Sequence, residues 1–501
     1  MTVKLKRTRT RVDLPAYDLT RVLGTPTAHS STARHRAEND RANRNVPPRR
    51  GHNTPFGGRA PYRPQIPVFR GSTGQVQGLY PWLYGGSLPP AGAYIGVDCL
   101  TGGAFSCHPI EWLHRGLITN PNLLVTGVPG AGKSATIKAL ILRLAAYGVK
   151  TFVLGDIKNE YARLARAFGV EPVEIGPGLT ARLNPLDAGP LGANLPAGRD
   201  ALRTRLEEIH RRRITLLSSL ITMRLGRDLT PSEEAAVSLA IQHASGQADG
   251  ATTLVDPTIP QVWELLRDPL PDMAMEMRVA GCDIETLREM IRPAGDALGN
   301  MVRGSLSGLF DGPTSVRMDF DAPLQTVDLS RIDGRGDETV AMTLACVSSW
   351  GQAAIDDADG PVRLVVRDEL WRAMRIPAMV RKLDSDLRLS RAQGTIQVLA
   401  THRLADFEAV GPEGSAEVAI ARNLVSSCDV RICLRQDTTP LAMTRDVIGL
   451  TDTECAHIAA WSGEQLGRAV WKIGRRASHV VQVVLTPQEK RLTWTNERMA
   501  L

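Results

Sequence analysis

The octapeptide Gly127-Val-Pro-Gly-Ala-Gly-Lys-Ser134 carries the spacing G-x-x-x-x-G-K-S, the pattern of a loop that wraps phosphate. The residue types explain the chemistry. Gly127, Val128, Pro129, Gly130, Ala131 and Gly132 allow a tight backbone curve, and the N–H groups of 128–134, with Ala135 closing the set, are expected to face one anion. Lys133 would pair with the β- and γ-phosphates of a nucleoside triphosphate, and the Ser134 hydroxyl is a ligand for Mg2+. Hydrolysis needs a second, acidic element. The segment "VRLVVRDELW" offers one at the end of an apolar run: Asp368 to hold Mg2+ and Glu369 to polarise the attacking water. Neighbours at a strand end point to different sides, so one can face the metal and the other the γ-phosphate. Arg367 sits where such a strand is normally apolar, which leaves a structural ion pair as a second reading.

Two further positions could take part. The apolar run "TIQVLAT" ends in Thr401-His402-Arg403, where His402 is either a sensor of the γ-phosphate or an exposed loop residue. In "LRLSRAQG", Arg388 and Arg391 are three apart, on one side of an expected helix. Either Arg391 reaches a neighbouring subunit's γ-phosphate as a finger in trans, or the pair forms a solvated basic face.

These residues need elements to bring them together. "NLLVTG" reads as a short buried strand entering the phosphate loop, and Ile137, Leu140, Ile141 and Leu144 then mark one face of a helix. "TFVLGD" is a second buried strand. Strand, glycine loop, helix, strand opens a P-loop α/β fold. Ahead of it, "GAYIGVDCLTGGAFSCHPIEW" reads as a hairpin around Thr101-Gly-Gly103. From about 197 to 312 the chain is mostly helical, with Thr230-Pro231-Ser-Glu233 as a helix-opening capping box. Strands return in "TSVRMDF", "QTVDLS", "VRLVV", "TIQVLAT" and "DVRICLR". The expected organisation is a basic tail over 1–74, a small β prelude over 75–118 and an ATPase-type α/β core over 119–196 and 313–501. A helical subdomain over 197–312 interrupts that core.

Composition narrows the class. The 501 residues suffice for a core without disulfides or metal. The seven cysteines, at 99, 107, 282, 346, 428, 433 and 455, show no C-x-x-C pair, which reads as reduced thiols packed as small apolar residues. No apolar run approaches the length of a membrane span, and no internal repeat suggests a solenoid or propeller. The charge is uneven: residues 1–65 carry +10 and the rest −3. The basic pI therefore belongs to the tail, whose Pro-, Gly-, Asn- and Arg-rich composition is that of a disordered arm. Such an arm suits nucleic acid, an anionic membrane face or an acidic partner, or simply stays solvated.

Taken in order, these blocks resemble the HerA–FtsK superfamily of ring ATPases, and within it the TraC-type ATPases of conjugation and type IV secretion. "LGDIKNEYARLARAFGVEPVEI" looks like the family's Asp-x-Lys-Gly-Glu-Tyr segment, here Asp156, Lys158, Glu160 and Tyr161, with Asn159 in place of glycine. "RLNPLD" and "GSLSGLFDGPT" resemble its Leu-Asn-Pro-Leu block and the exit from its helical insertion. "DELW" fits its metal strand, "LSRAQG" its arginine-bearing helix with Ala392 where lysine is usual, and "ATHR" its Ala-Thr-Gln, with His402 for glutamine. The likeness spans about 92–498, including "HVVQVVLTPQEKRLTWTNERM". It implies a RecA-like core, ATP with Mg2+, a homo-hexamer, and a cytoplasmic place at the inner face of the cell membrane. The implied partners are inner-membrane channel subunits, with DNA or nucleoprotein as cargo. Three functions follow: a motor energising channel assembly or substrate transfer, a DNA translocase or coupling protein, or a non-hydrolysing ATP-bound switch.

Overall fold

The structure, a computed structural model, describes residue 88 and residues 91–494 apart from 194, 248–254, 278–282, 305, 317–318, 320, 356–359, 375–376, 408–409, 411–413, 462–464 and 475–476. The basic tail, the first part of the β prelude and the last residues of the C-terminal block lie outside the described residues.

One eleven-stranded sheet organises the chain, in the order β2-β1-β11-β10-β9-β3-β8-β7-β4-β6-β5. The strands are β1 (Ala93–Asp98), β2 (Ala104–Cys107), β3 (Leu123–Thr126), β4 (Lys150–Asp156), β5 (Val173–Glu174), β6 (Leu324–Asp328), β7 (Arg363–Arg367), β8 (Thr395–Thr401), β9 (Val430–Leu434), β10 (Arg468–Ile473) and β11 (Ala477–Val483). From β9 to β5 all neighbours are parallel. Parallel strands are covered on both faces, and accordingly every residue of β3, β6, β7 and β8 is buried. At the other end β9, β10, β11, β1 and β2 pair antiparallel in turn. The hairpin of the prelude is thus the edge of the main sheet rather than a separate unit.

Four helices frame the crevice and its supports: α1 (Lys133–Ala145), α2 (Arg199–Leu225), α3 (Asp337–Ile355) and α4 (Pro377–Leu389). α2 opens the helical segment between β5 and β6. That segment also holds Pro231–Ala244, begun by the expected capping box: the Glu233 N–H donates to the Thr230 hydroxyl at 3.3 Å, and the Thr230 N–H to Glu233 at 2.8 Å. Leu216, Leu217, Leu220 and Ile221 of α2 share one hydrophobic core with Phe152 and Leu154 of β4 and Val347 of α3. The helices therefore cover one face of the sheet instead of folding on a core of their own.

One expected strand does not appear among the described residues. In "TSVRMDF" the Thr314 and Ser315 hydroxyls accept the N–H groups of Asn184 (3.1 Å) and Arg182 (2.8 Å). These two residues clasp the "RLNPLD" block, and the described residues of the segment are irregular.

Arg367, the last residue of β7, forms the buried ion pair that its position had left open, but with Asp386 and not with Asp368. Its Nη2 donates to Asp386 Oδ2 at 2.7 Å, its Nη1 to Ser348 Oγ at 3.0 Å, and its Nε leans on Gln397 at 3.4 Å. Burial draws the guanidinium pKa down and Asp386 opposes it. Lys382 takes the other Asp386 oxygen. The pair thereby ties α3 and α4 to the central strand. Removing one partner of a buried pair strands the other. Arg367→Leu is expected to cost about 3 kcal/mol in denaturant unfolding, and adding Asp386→Leu to recover most of that loss.

Candidate active site

Register decides which side chains can meet. β3 and β8 pair Thr126 with Thr401, so the next residues, Gly127 and His402, leave the sheet at one level. β7 pairs Arg367 with Leu399, which puts Asp368 and Glu369 at the same edge, beside β4 and the loop that follows Asp156. Four strand ends thus open onto one crevice, as expected at the carboxyl edge of a parallel sheet.

In the phosphate loop, Gly132 has φ +103°, and a Cβ there would lie 2.8 Å from the Gly467 nitrogen. The loop before β10 presses directly on it: the Gly467 N–H donates to Ala131 O at 3.0 Å. The cradle is narrower than the full run of residues. Pro129 has no N–H, the Val128 N–H is given to Arg435 O (3.0 Å), and that of Ala131 to Val128 O (3.1 Å). Gly130, Gly132, Lys133, Ser134 and Ala135 remain as donors. The last three are the first-turn N–H groups of α1, which has no side-chain cap.

Lys133 is buried, and its ammonium donates to Gly127 O (2.7 Å), Val128 O (3.4 Å) and His402 Nδ1 (2.8 Å). An ammonium only donates, so Nδ1 must accept and the hydrogen of a neutral His402 sits on Nε2. That nitrogen lies 3.2 Å from Glu369 Oε1. Burial lowers the Lys133 pKa to about 8, against the opposing pull of Asp368 and Glu369. His402 thus bonds both Lys133 and Glu369 and is half-buried rather than an exposed loop residue.

Glu369 has φ +50°, rare for a residue with a Cβ. Its carboxylate also accepts from Lys158 Nζ on Oε1 and from Trp371 Nε1 on Oε2 at 2.5 Å. Burial would raise its pKa, but the hydrogen bonds from His402, Lys158 and Trp371 outweigh burial and hold it well below the usual range. Asp368 behaves oppositely. Burial pushes it up, although the Tyr161 hydroxyl (2.8 Å, to Oδ2) and the Glu369 N–H (2.9 Å, to Oδ1) favour its charge.

The residues around this pair come from the loop after β4. Asp156 accepts the N–H groups of Glu160 and Tyr161, both at 2.8 Å, and bends the loop back. Asn159 there has φ +54°, which explains why glycine suits this position and why Asn, tolerant of that region, can replace it. Buried Lys138, one turn beyond Ser134, lies 3.6 Å from Glu160 and 5.4 Å from the Tyr161 ring centre. It backs the tyrosine that holds Asp368. Lys158, Tyr161, Lys138 and Trp371 had no assigned role from their own residue types. The Asp-x-Lys-x-Glu-Tyr block was the signal that could have found two of them.

Arg391 does not join this crevice within its own chain. α4 ends at Leu389, so Arg388 lies in the helix, paired with Asp384 at 2.9 Å, and Arg391 follows in an exposed turn. That turn precedes β8, while His402 follows it. The seven residues between separate them by roughly 20 Å.

The arrangement fits a triphosphate with a hard cation. Uncapped N–H groups and a buried lysine face the phosphate position, and the Ser134 hydroxyl and Asp368 carboxylate are oxygen donors of the type Mg2+ takes alongside substrate phosphates. Among the described residues no cluster of three or more His, Cys, Asp or Glu could hold a metal by itself.

No family model matches the sequence, and no curated protein matches it. The fold is nevertheless shared with solved structures. VirB4 of Thermoanaerobacter pseudethanolicus gives a TM-score of 0.60 at 21% identity, covering 82% of this chain and 100% of that one. The bacterial conjugative coupling protein TrwBdeltaN70, in complex with sulphate, gives 0.52 at 14% identity over 85% and 95%. TrwB in complex with the non-hydrolysable ATP analogue ADPNP gives 0.51 at 12% identity over 85% and 96%. The chain thus has the α/β fold of VirB4 and TrwB, in line with the resemblance carried by its motifs. Among the described residues no helix is long and apolar enough to cross a membrane.

The burial of Asp156 makes stability pH-dependent. Burial raises its pKa to about 7, against the two backbone N–H bonds, whereas the unfolded value is about 4. The folded chain therefore binds the extra proton, and stability falls as pH rises through this window. Relative to Asp156→Asn, which does not titrate, the wild type is expected to lose up to about 4 kcal/mol between pH 4 and pH 7. Equal pH slopes in urea unfolding would show that Asp156 is already ionised when folded.

Proposed function

We propose that this chain is an ATP-hydrolysing motor of a conjugative type IV secretion system, energising channel assembly or substrate transfer. The observation that carries the reading is the hydrogen-bonded line Lys133–His402–Glu369 across the ends of β3, β8 and β7, with Asp368 beside it. The closer likeness in fold to VirB4 than to TrwB supports the type of motor.

In this mechanism the N–H groups of Gly130 and of residues 132–135 seat the phosphates, and Lys133 gives up His402 to meet the β- and γ-oxygens. Mg2+, held by Ser134 and Asp368, would supply charge neutralisation across those oxygens. Glu369 orients a water for in-line attack on the γ-phosphorus and accepts its proton as the bond to the β-phosphate oxygen breaks. His402, released from Lys133, can then report the γ-phosphate to Glu369. Arg391, distant from this crevice within one chain, would act in trans on the nucleotide of a neighbour in a homo-hexamer. Inner-membrane channel subunits and DNA or nucleoprotein are the proposed partners, with the basic tail available to an anionic surface.

The likeness to TrwB also favours a second reading, a DNA translocase or coupling protein. It requires hydrolysis stimulated by DNA and binding that weakens steeply with salt, whereas a channel motor should co-purify with channel subunits. For either motor, Lys133→Ala is expected to weaken ATP binding by about 100-fold or more. Glu369→Gln should keep ATP affinity and lower kcat by about 10²–10³-fold. Equal turnover and equal DNA transfer by the wild type and Glu369→Gln would leave only the ATP-bound switch.

A further inference from the structure

The hydrogen bonds around Glu369 fill three of the roughly four lone-pair sites of its carboxylate, both of those on Oε1 among them. Oε1 accepts from Lys158 Nζ and, at 3.2 Å, from His402 Nε2; Oε2 accepts from Trp371 Nε1 at 2.5 Å. A group that is to polarise water must offer that water a lone pair, and Oε1, which already takes two donors, has none to offer until one of them lets go. The backbone is equally constrained, since φ +50° at a glutamate persists only where its surroundings hold it.

The three donors are not equivalent. Trp371 lies two residues further along the same turn, and His402 belongs to the line that begins at Lys133. Lys158 reaches across from another loop, and its side chain is 47% exposed, so it can swing away without breaking the fold. Its loop is nonetheless fixed in shape by Asp156, and it also carries Tyr161, which holds Asp368. One loop thus touches both members of the acidic pair.

Resting on the reading of Glu369 as the water-orienting base, we propose that Lys158 is a positioning residue that acts as a latch. It occupies the Oε1 lone pair that a water would need, and turnover waits for the ammonium to let go. The latch restrains the chemical step and leaves phosphate seating to Lys133 and the first turn of α1. Its loss should therefore act on kcat and not on KM.

The test uses the full chain and Mg2+-ATP. Lys158→Met is expected to raise kcat by about tenfold, the scale of one charge-assisted hydrogen bond, with KM within about twofold. K158R keeps the charge and should stay near the wild type. The gain should vanish when K158M is combined with E369Q, which shows that it passes through Glu369. K158Q serves as a second neutral variant should K158M not fold, and thermal unfolding checks both. A kcat that falls or stays level in the neutral variants, or an effect confined to KM, overturns the latch. Failure of the motor reading looks different: E369Q would then turn over like the wild type whatever residue 158 is.

Discussion

A buried ammonium must find acceptors, and that requirement binds the site of this protein together. Lys133 is buried at the start of α1, where it satisfies itself on two carbonyls of its own loop and on His402. The imidazole can accept on Nδ1 only by presenting its Nε2 hydrogen to something else, and Glu369 is there to take it. A single lysine thereby fixes the tautomer of a histidine on β8 and gives a glutamate beyond β7 one of its partners. The arrangement is cooperative because each group can be satisfied only through the next.

Such a line needs three strand ends at one level, and the sheet provides this without help from the site residues. The pairings Thr126–Thr401 and Arg367–Leu399 set the height of each exit. Arg367 then anchors β7 from behind: its pair with Asp386 and its bond to Ser348 pin α3 and α4 against the strand whose next residue is Asp368. α2, which packs on both α3 and α4, begins the helical segment that shares the sheet's hydrophobic core. A displacement of that helical segment would press on the helices that hold Arg367, one residue away from the acidic pair.

Much of this was legible in the sequence because it is local. The phosphate loop, the helix after it, the buried strands and the Thr230–Glu233 capping box depend on spacings of a few residues. What could not be read was set by distant contacts. "TSVRMDF" alternates like a strand, yet its hydroxyls are claimed by Arg182 and Asn184, some 130 positions earlier. Arg367 looked misplaced in a buried strand until Asp386 and Ser348 came to meet it from two helices. Val128 and Ala131 fit the phosphate pattern by type, but a carbonyl from the end of β9 and the loop's own turn use their N–H groups. Arg391 keeps helical spacing from Arg388, but the helix stops between them.

The loop after β4 shows why a motif can be visible while its chemistry is not. Asp156, Asn159 and Tyr161 read as parts of one recognisable string, but their roles are geometric. The aspartate folds the loop by taking two N–H groups, the asparagine tolerates a positive φ, and the tyrosine hydroxyl reaches Asp368. With that fold imposed, Lys158 has its backbone placed for it, and its flexible stem has only to span the crevice to Glu369. The acidic pair is therefore divided between two kinds of partner. Asp368 accepts from a buried tyrosine hydroxyl on a loop folded by Asp156, whereas Glu369 accepts from a half-exposed ammonium, a histidine and Trp371, and on the proposed reading the histidine would change partners when phosphate arrives. Rigidity on one carboxylate and exchangeable contacts on its neighbour are what a site needs when one must stay still and the other must act.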